Sequence, residues 1–376
     1  MRRPSLIDRC EQNSKGPHAE QSRGISLRRR ERREPSTTRR PARNDARGVL
    51  AIACATIRNW PLAVAALTAA LAITGCGEGR RTVRVFAADA LAASFRAVEN
   101  AFEKQHPDVD VRLEVMGSVM ATRLVPLRRG DVLAVADHRL VEKILGQAHA
   151  AWVAQFASTE IVLAGHASSR RRAELTSDNW YEVLLLPDIR FGIANPAQDP
   201  CGYYARMAWE LAQKHYFASR GDSRPLARQL QERCRPEFIA IDANELISAY
   251  LNMARVDYAF VYKVHAVDLK LPYTPLPREV NLGDLTLHDY YSTIQVNVPN
   301  YRGGSETLVG SPVAFGITLL DDATNVPDAR DFIRFVLSPQ GQSLLKTSGF
   351  ESISPARVPR WGPVPEFLTD LAVAEK

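Results

Sequence analysis

Short strands alternating with amphipathic helices place this chain in the α/β class. The first observation behind that expectation is a change of period. Leu91, Phe95, Val98 and Phe102 recur at helical spacing, whereas Val109, Val111, Leu113 and Val115 alternate with Asp110, Arg112 and Glu114. The second is the stretch 190–216. Phe191 and Ile193 open it as a buried strand, Asn195-Pro196 turns it, and 203–216 continues as a helix with Tyr204, Met207 and Leu211 on one face. Strand and helix in repeated succession predict mainly parallel sheets covered by helices on both faces.

Residues 1–59 hold 15 Lys and Arg against 6 Asp and Glu, and 1–47 are rich in Arg, Ser and Pro with few apolar residues. They read as a disordered basic extension that can bury no core, with a start codon assigned too far upstream as the other origin of the segment. The remaining 33 basic and 36 acidic residues leave the body slightly acidic, so the net charge of +6 gives no footing for nucleic-acid binding. Residues 60–75 carry an uncharged apolar run of 14 residues, 61–74, behind Arg58. That is short for a membrane span and fits the core of a signal peptide. Ile73-Thr74-Gly75-Cys76 closes it and resembles a bacterial lipobox, whose cysteine is lipidated. Residues 76–82 would then be a tether on an exported protein.

The body takes its elements in order. Residues 83–87 form a strand, Ala88-Asp89-Ala90 turns into the first helix, and His106-Pro107 ends it. The alternating strand 109–115 follows, and Gly117-Ser118 opens a second helix to Arg128. A third strand covers 131–136, a third helix 137–145 and a fourth strand 160–164. A second unit starts near residue 168. It contains the 190–216 stretch, a helix over 245–253, a buried strand over 256–262 and a strand through Ile294, Val296 and Val298; a strand over 313–319 and a helix over 329–337 follow it. Asp199 sits on the strand-to-helix loop, where open α/β sheets receive ligands and where helix starts expose unpaired N–H groups. A helix cap is the competing role for it.

Several chemistries find no motif. The sequence has no G-x-x-x-x-G-K-[ST] phosphate loop, no H-x-x-x-H or H-x-H pair and no G-x-S-x-G elbow. Cys201 and Cys234 are the two cysteines of the body. In an oxidising compartment they are expected to form a disulfide.

Together these segments resemble the tungstate/molybdate-binding branch of the extracellular solute-binding proteins of ABC importers. The resemblance covers about residues 83–360. It rests on 85–91, Gly117-Ser118, 131–137, Ser177-Asp178-Asn179-Trp180-Tyr181, Arg190-Phe191-Gly192, Asn195-Pro196, Asp199-Pro200-Cys201-Gly202-Tyr203, Asp257-Tyr258-Ala259-Phe260 with Tyr262, and Gly316-Ile317-Thr318. It implies a two-lobe periplasmic-binding-protein fold of type II, with residues 83–165 and 310–376 in one lobe and 166–309 in the other. The lobes would be joined by crossings at Ile161–Gly165 and 313–319. It implies no enzyme and no cofactor. The ligand would be tungstate or molybdate, the partner a membrane permease, and the protein a monomer.

The resemblance also implies a ligand set. Ser118 and the Ala90 backbone would serve the oxygens, Tyr262 would line the cleft, and Asp199 and Glu245 would bond the metal centre of the anion, with Asp242 as the alternative to Glu245. Carboxylates repel an oxyanion's oxygens but suit a hard high-valent centre, which they could raise to six-coordination. One departure stands out. The family has Gly-Ser where this chain has Asp89-Ala90, which removes a hydroxyl and adds an acid; Asp89 is expected to cap its helix and point away. That departure keeps a receptor for another small anion as the alternative. A lipid-anchored enzyme on the same clamp, or an anion sensor docking to a membrane partner other than a permease, are the readings from other classes.

Overall fold

The computed structural model describes residues 79–300 and 303–375. The basic extension, the apolar run and Cys76 lie outside them. Among the described residues no helix is long and apolar enough to cross a membrane.

The chain builds one sheet, leaves it for a second, and returns. β1 (Arg81–Ala88), β2 (Val109–Met116), β3 (Val132–Val135) and β4 (Ala154–Ser158) belong to the first sheet. β5 (Ile161–Gly165), β6 (Phe191–Ala194), β7 (Ile239–Ala240), β8 (Tyr258–Tyr262) and β9 (Tyr273–Pro275) form the second. β10 (Gln295–Pro299) and β11 (Ser305–Val309) make a separate hairpin, after which β12 (Ala314–Leu319), β13 (Glu351–Val358) and β14 (Ala372–Ala374) complete the first sheet. Its order is β14-β13-β4-β12-β3-β1-β2, and that of the second is β7-β6-β8-β5-β9.

Both sheets are mixed rather than mainly parallel. β1 runs parallel to β2 and β3, but β12 is antiparallel to both β3 and β4. In the second sheet β6 is parallel to β7 and β8, and β5 is antiparallel to β8 and β9. The reason is topological. A strand entering a sheet directly from the other lobe has no helical crossover to bring it round, so it enters antiparallel.

The expected crossings also shift by a few residues. Ile161–Gly165 is a fully paired interior strand of the second sheet, and β12 of the first. The chain changes sheets at 159–160 and again at 310–313. Both passages lie beside Asn281 and Leu282: Ile161 N–H donates to the Asn281 carbonyl and Val313 N–H to that of Leu282, each at 2.8 Å.

Burial follows the pattern that strands covered on both faces require. Every residue of β3, β5, β6 and β8 is buried. Helix Ala92–Gln105 buries Phe95, Val98 and Phe102, and the last meets Phe332 of helix Val326–Leu337 edge to face. Tyr262 on β8 and Phe315 on β12 bring their rings to 5.8 Å, so the apolar core is continuous between the two sheets.

Candidate functional site

Asp199 is positioned by the loop that leaves β6. The Asn195 side chain accepts the Ala197 N–H at 3.0 Å and its own N–H donates to the Ala240 carbonyl, which fixes the turn. Asp199 then caps helix Pro200–Tyr216, where Pro200 has no N–H to lose. Its Oδ1 accepts from Cys201 N–H and its Oδ2 from Ala243 N–H, both at 2.9 Å, so one carboxylate ties together two helix starts. Gly202 lets this helix press on β6: a β-carbon there would lie 2.1 Å from the Ala194 carbonyl oxygen.

The first sheet supplies the opposing wall. β1 ends in the single turn Asp89–Leu91, which lies against the segment Ala243–Glu245. Gly117 caps helix Ser118–Arg128 and faces the second lobe. A β-carbon on it would stand 3.1 Å from the Gln198 carbonyl oxygen and 3.7 Å from the β-carbons of both Asp199 and Asp242. Its φ of −54° is ordinary, so close approach, not backbone freedom, calls for glycine here. Ser118 is fully buried. Its Oγ accepts the Ala136 N–H at 2.9 Å, which leaves the hydroxyl proton to donate.

Between these walls several buried polar atoms have no partner: Asp89 Oδ2, Tyr262 Oη and both ring nitrogens of His265. Asp89 Oδ2 stands 3.7 Å from His265 Nε2, too far for a hydrogen bond. The rings of His265 and Tyr262 stack with centroids 5.8 Å apart. Burial pushes the Tyr262 phenol well above its usual range, with nearby Cys201 and Asp199 adding to the shift, so it stays a neutral hydroxyl that can donate. Burial likewise pushes the Asp199 carboxyl well up, and the charge of Asp89 adds to it. Asp242 is raised by burial too, and Asp89 acts on it in the same sense.

The sequence of the body matches the family of bacterial extracellular solute-binding proteins over residues 83–351. The chain belongs to that family. An uncharacterized solute-binding protein of Petrotoga mobilis is 36% identical over 76% of this chain and 88% of its own length. The molybdate/tungstate-binding protein WtpA of Thermococcus kodakarensis is 29% identical over 78% of this chain and 88% of its own. The periplasmic molybdate-binding protein of Azotobacter vinelandii superposes with a TM-score of 0.52 over 72% of this chain and 98% of its own, at 17% identity. The sulfate-binding protein SubI of Mycobacterium tuberculosis reaches 0.55 over 73% and 87%, at 13%. At those identities the two structures speak for the two-lobe fold alone. As an extracellular solute-binding protein the chain is exported, and it is a transport component rather than an enzyme.

In this solute-binding protein the expected ligand set divides. Ser118, Asp199 and Tyr262 are buried where the lobes meet: Gly117, next to Ser118, packs near Asp199, and Asp199 acts electrostatically on Tyr262. The Ala90 N–H lies there too, but it donates to Asp89 Oδ1 at 2.9 Å within its own turn. Glu245 is turned away: its carboxylate accepts the Ile241 N–H while Asp242 accepts the Glu245 N–H, a reciprocal cap in which Asp242 is the acid that faces Gly117. Asp89 does not cap its helix as expected: it is the first residue of its turn, one oxygen accepts the N–H of the next residue, Ala90, and the other points inward at His265.

His265 escaped the sequence reading. Its one signal was a place three residues after Tyr262, and a lone histidine there has no motif. The expected disulfide is absent, and Cys201 and Cys234 are both free and buried. Cys201 faces the Phe260 carbonyl, whereas Cys234 lies by Arg206, roughly 7.5 Å further along the same helix. Burial pushes the Cys234 thiol up to about 12 and Cys201 well above its usual range, so both stay protonated and unreactive.

A second contact joins the lobes beside the cleft. Asp137, at the end of β3, accepts the Tyr203 hydroxyl at 2.7 Å and pairs with Arg139, whose guanidinium also reaches the Val309 carbonyl. Burial alone would raise Asp137, but Arg139, His138 and Tyr203 outweigh it and hold the carboxyl well below its usual range. A cavity of about 490 Å³ opens next to this contact, lined by Val119, Leu140, Pro196 and Leu308 among others.

Proposed function

We propose that this protein is the receptor of an ABC importer that captures molybdate or tungstate between its lobes, is anchored through a lipid on Cys76, and hands the anion to a membrane permease. The observation that carries the reading is the convergence of buried, unpartnered polar atoms from both lobes, Asp89 from one and His265 and Tyr262 from the other. A neutral Tyr262 hydroxyl, the Ser118 hydroxyl and the His265 ring suit the oxygens of a small oxyanion. Each Asp199 oxygen accepts one N–H and keeps a further lone pair, which we assign to a hard metal centre, with Asp242 in the role first given to Glu245. Relatives that bind molybdate or tungstate support the choice of anion.

Asp89 favours a second reading, a receptor for another small anion, because it adds a buried acid to the cleft. Calorimetric titration of the full chain with molybdate, tungstate, sulfate and phosphate decides between them. Molybdate or tungstate binding at least a hundredfold more tightly than sulfate and phosphate is the expected result. The reverse order would establish the second reading.

A further inference from the structure

Asp89 is the acid of the cleft whose bonding is half complete. Oδ1 accepts the Ala90 N–H, while Oδ2, on a side chain sealed from water, has no partner. Facing it is His265, also buried, with neither ring nitrogen bonded. Buried polar groups in folded proteins are paired, so unpaired atoms gathered at one point mark where a ligand completes the bonding.

The spacing says what kind of ligand atom that is. Two atoms 3.7 Å apart can both reach a single oxygen at about 2.8 Å. With His265 donating through a ring N–H and Asp89 Oδ2 accepting, that oxygen both accepts and donates. An oxygen that accepts and donates carries a proton. A fully ionised oxyanion offers acceptors alone and sets its charge against Asp89. Acids crowd the pair: Asp199 acts on Asp89 from one neighbouring helix start, Asp242 from another, and Asp268 lies on the His265 helix itself, while the protonated Cys201 thiol also feels Asp89.

We propose that Asp89 and His265 form a hydroxyl-recognising subsite, so that the cleft binds its oxyanion in the singly protonated form. This rests on the receptor reading above and adds to it the protonation state of the ligand. The bound oxyanion brings one proton with it, shared between a ligand oxygen and Asp89 Oδ2. Because free molybdate is largely unprotonated at neutral pH, binding draws that proton from the solvent.

Calorimetry of the full chain with molybdate, at about pH 8 where an ordinary histidine is neutral, tests this when run in two buffers of different ionisation enthalpy. The buffer dependence counts protons taken up per bound anion. The wild type is expected to take up about one. In Asp89→Asn, whose amide keeps an acceptor for Ala90 N–H and adds a donor, uptake is expected to fall to near zero. Sulfate should gain at least tenfold in affinity in the same variant. In His265→Asn affinity is expected to fall at least tenfold while uptake persists. Saturable molybdate binding by the wild type with no proton uptake overturns the proposal. So does uptake that survives in Asp89→Asn, or uptake that vanishes in His265→Asn, which would put the proton on the imidazole. Failure of every oxyanion to bind overturns the receptor reading and this inference with it.

Discussion

Asp199 shows how one side chain can belong to the fold and to the site together. Both of its oxygens hold backbone N–H groups, Cys201 in its own helix and Ala243 in the next. Asparagine at a simple helix cap is nearly as good as aspartate. Here it is not equivalent, because its NH₂ cannot accept and one buried N–H loses its partner. Asp199→Asn is therefore expected to lower the stability of the ligand-free protein by about 1–3 kcal/mol, measured by urea unfolding. Unchanged stability would mean that the Ala243 bond contributes nothing. The place of Asp199 was legible in the sequence, since strand, Asn-Pro turn and Pro-initiated helix are local grammar. The pairing of Asp89 with His265 was not, because it is made by two lobes meeting and leaves no trace in either segment alone.

At the scale of elements, the turn 242–245 separates a cap from a ligand. Asp242 and Glu245 hold each other's end of the chain, with Glu245 bonded to Ile241 N–H at 2.6 Å. Glu245→Gln keeps an acceptor for that N–H and is expected to leave both melting temperature and anion affinity near wild type. Glu245→Ala should cost about 1 kcal/mol of stability and leave affinity nearly intact. A loss of affinity above tenfold in the folded Gln variant would restore Glu245 as a ligand. The same scale explains which strands the sequence disclosed. β2 alternates between buried and partly exposed positions at its start, and its period of two is visible. β4 is buried at every position, so it carries no alternation. β13 pairs with β4, a partner distant in the chain, and its exposed and buried residues follow no simple period.

At the scale of the whole molecule, the Asp137–Tyr203 hydrogen bond joins a loop of the first lobe to a helix of the second and so belongs to the closed state. Asp137 has a depressed carboxyl, so its contribution to stability is fully present above the ordinary value of 3.8 and is lost as pH falls through that value toward its folded one. The stability gap between wild type and Asp137→Asn should accordingly narrow as pH drops below 3.8, in unfolding curves taken at successive pH values. A gap that widened with acid would reverse the sign.

Tyr203→Phe probes closure without touching the charge. The phenol is buried and meets Asp137 at 2.7 Å, a bond to an ionised group, while the ring packs against Tyr204 at 5.1 Å and would stay. Removing the hydroxyl leaves an ionised Asp137 still paired with Arg139, so the fold of each lobe should hold. What changes is the balance between open and closed lobes, since this bond exists when the lobes are together. A hydrogen bond to a charged group contributes roughly 1.5–3 kcal/mol. A ligand that binds the closed state must supply whatever closure has lost. Anion affinity is therefore expected to fall at least tenfold in Tyr203→Phe, with melting of the ligand-free protein shifted far less. Solution scattering supplies the independent reading. The wild type should contract on saturation with anion, and the variant should contract to the same radius of gyration at higher anion concentration. Equal affinities in a folded variant would show that the Tyr203 hydroxyl contributes nothing to closure, and would leave the Arg139 bond to the Val309 carbonyl as the contact at this point that favours it.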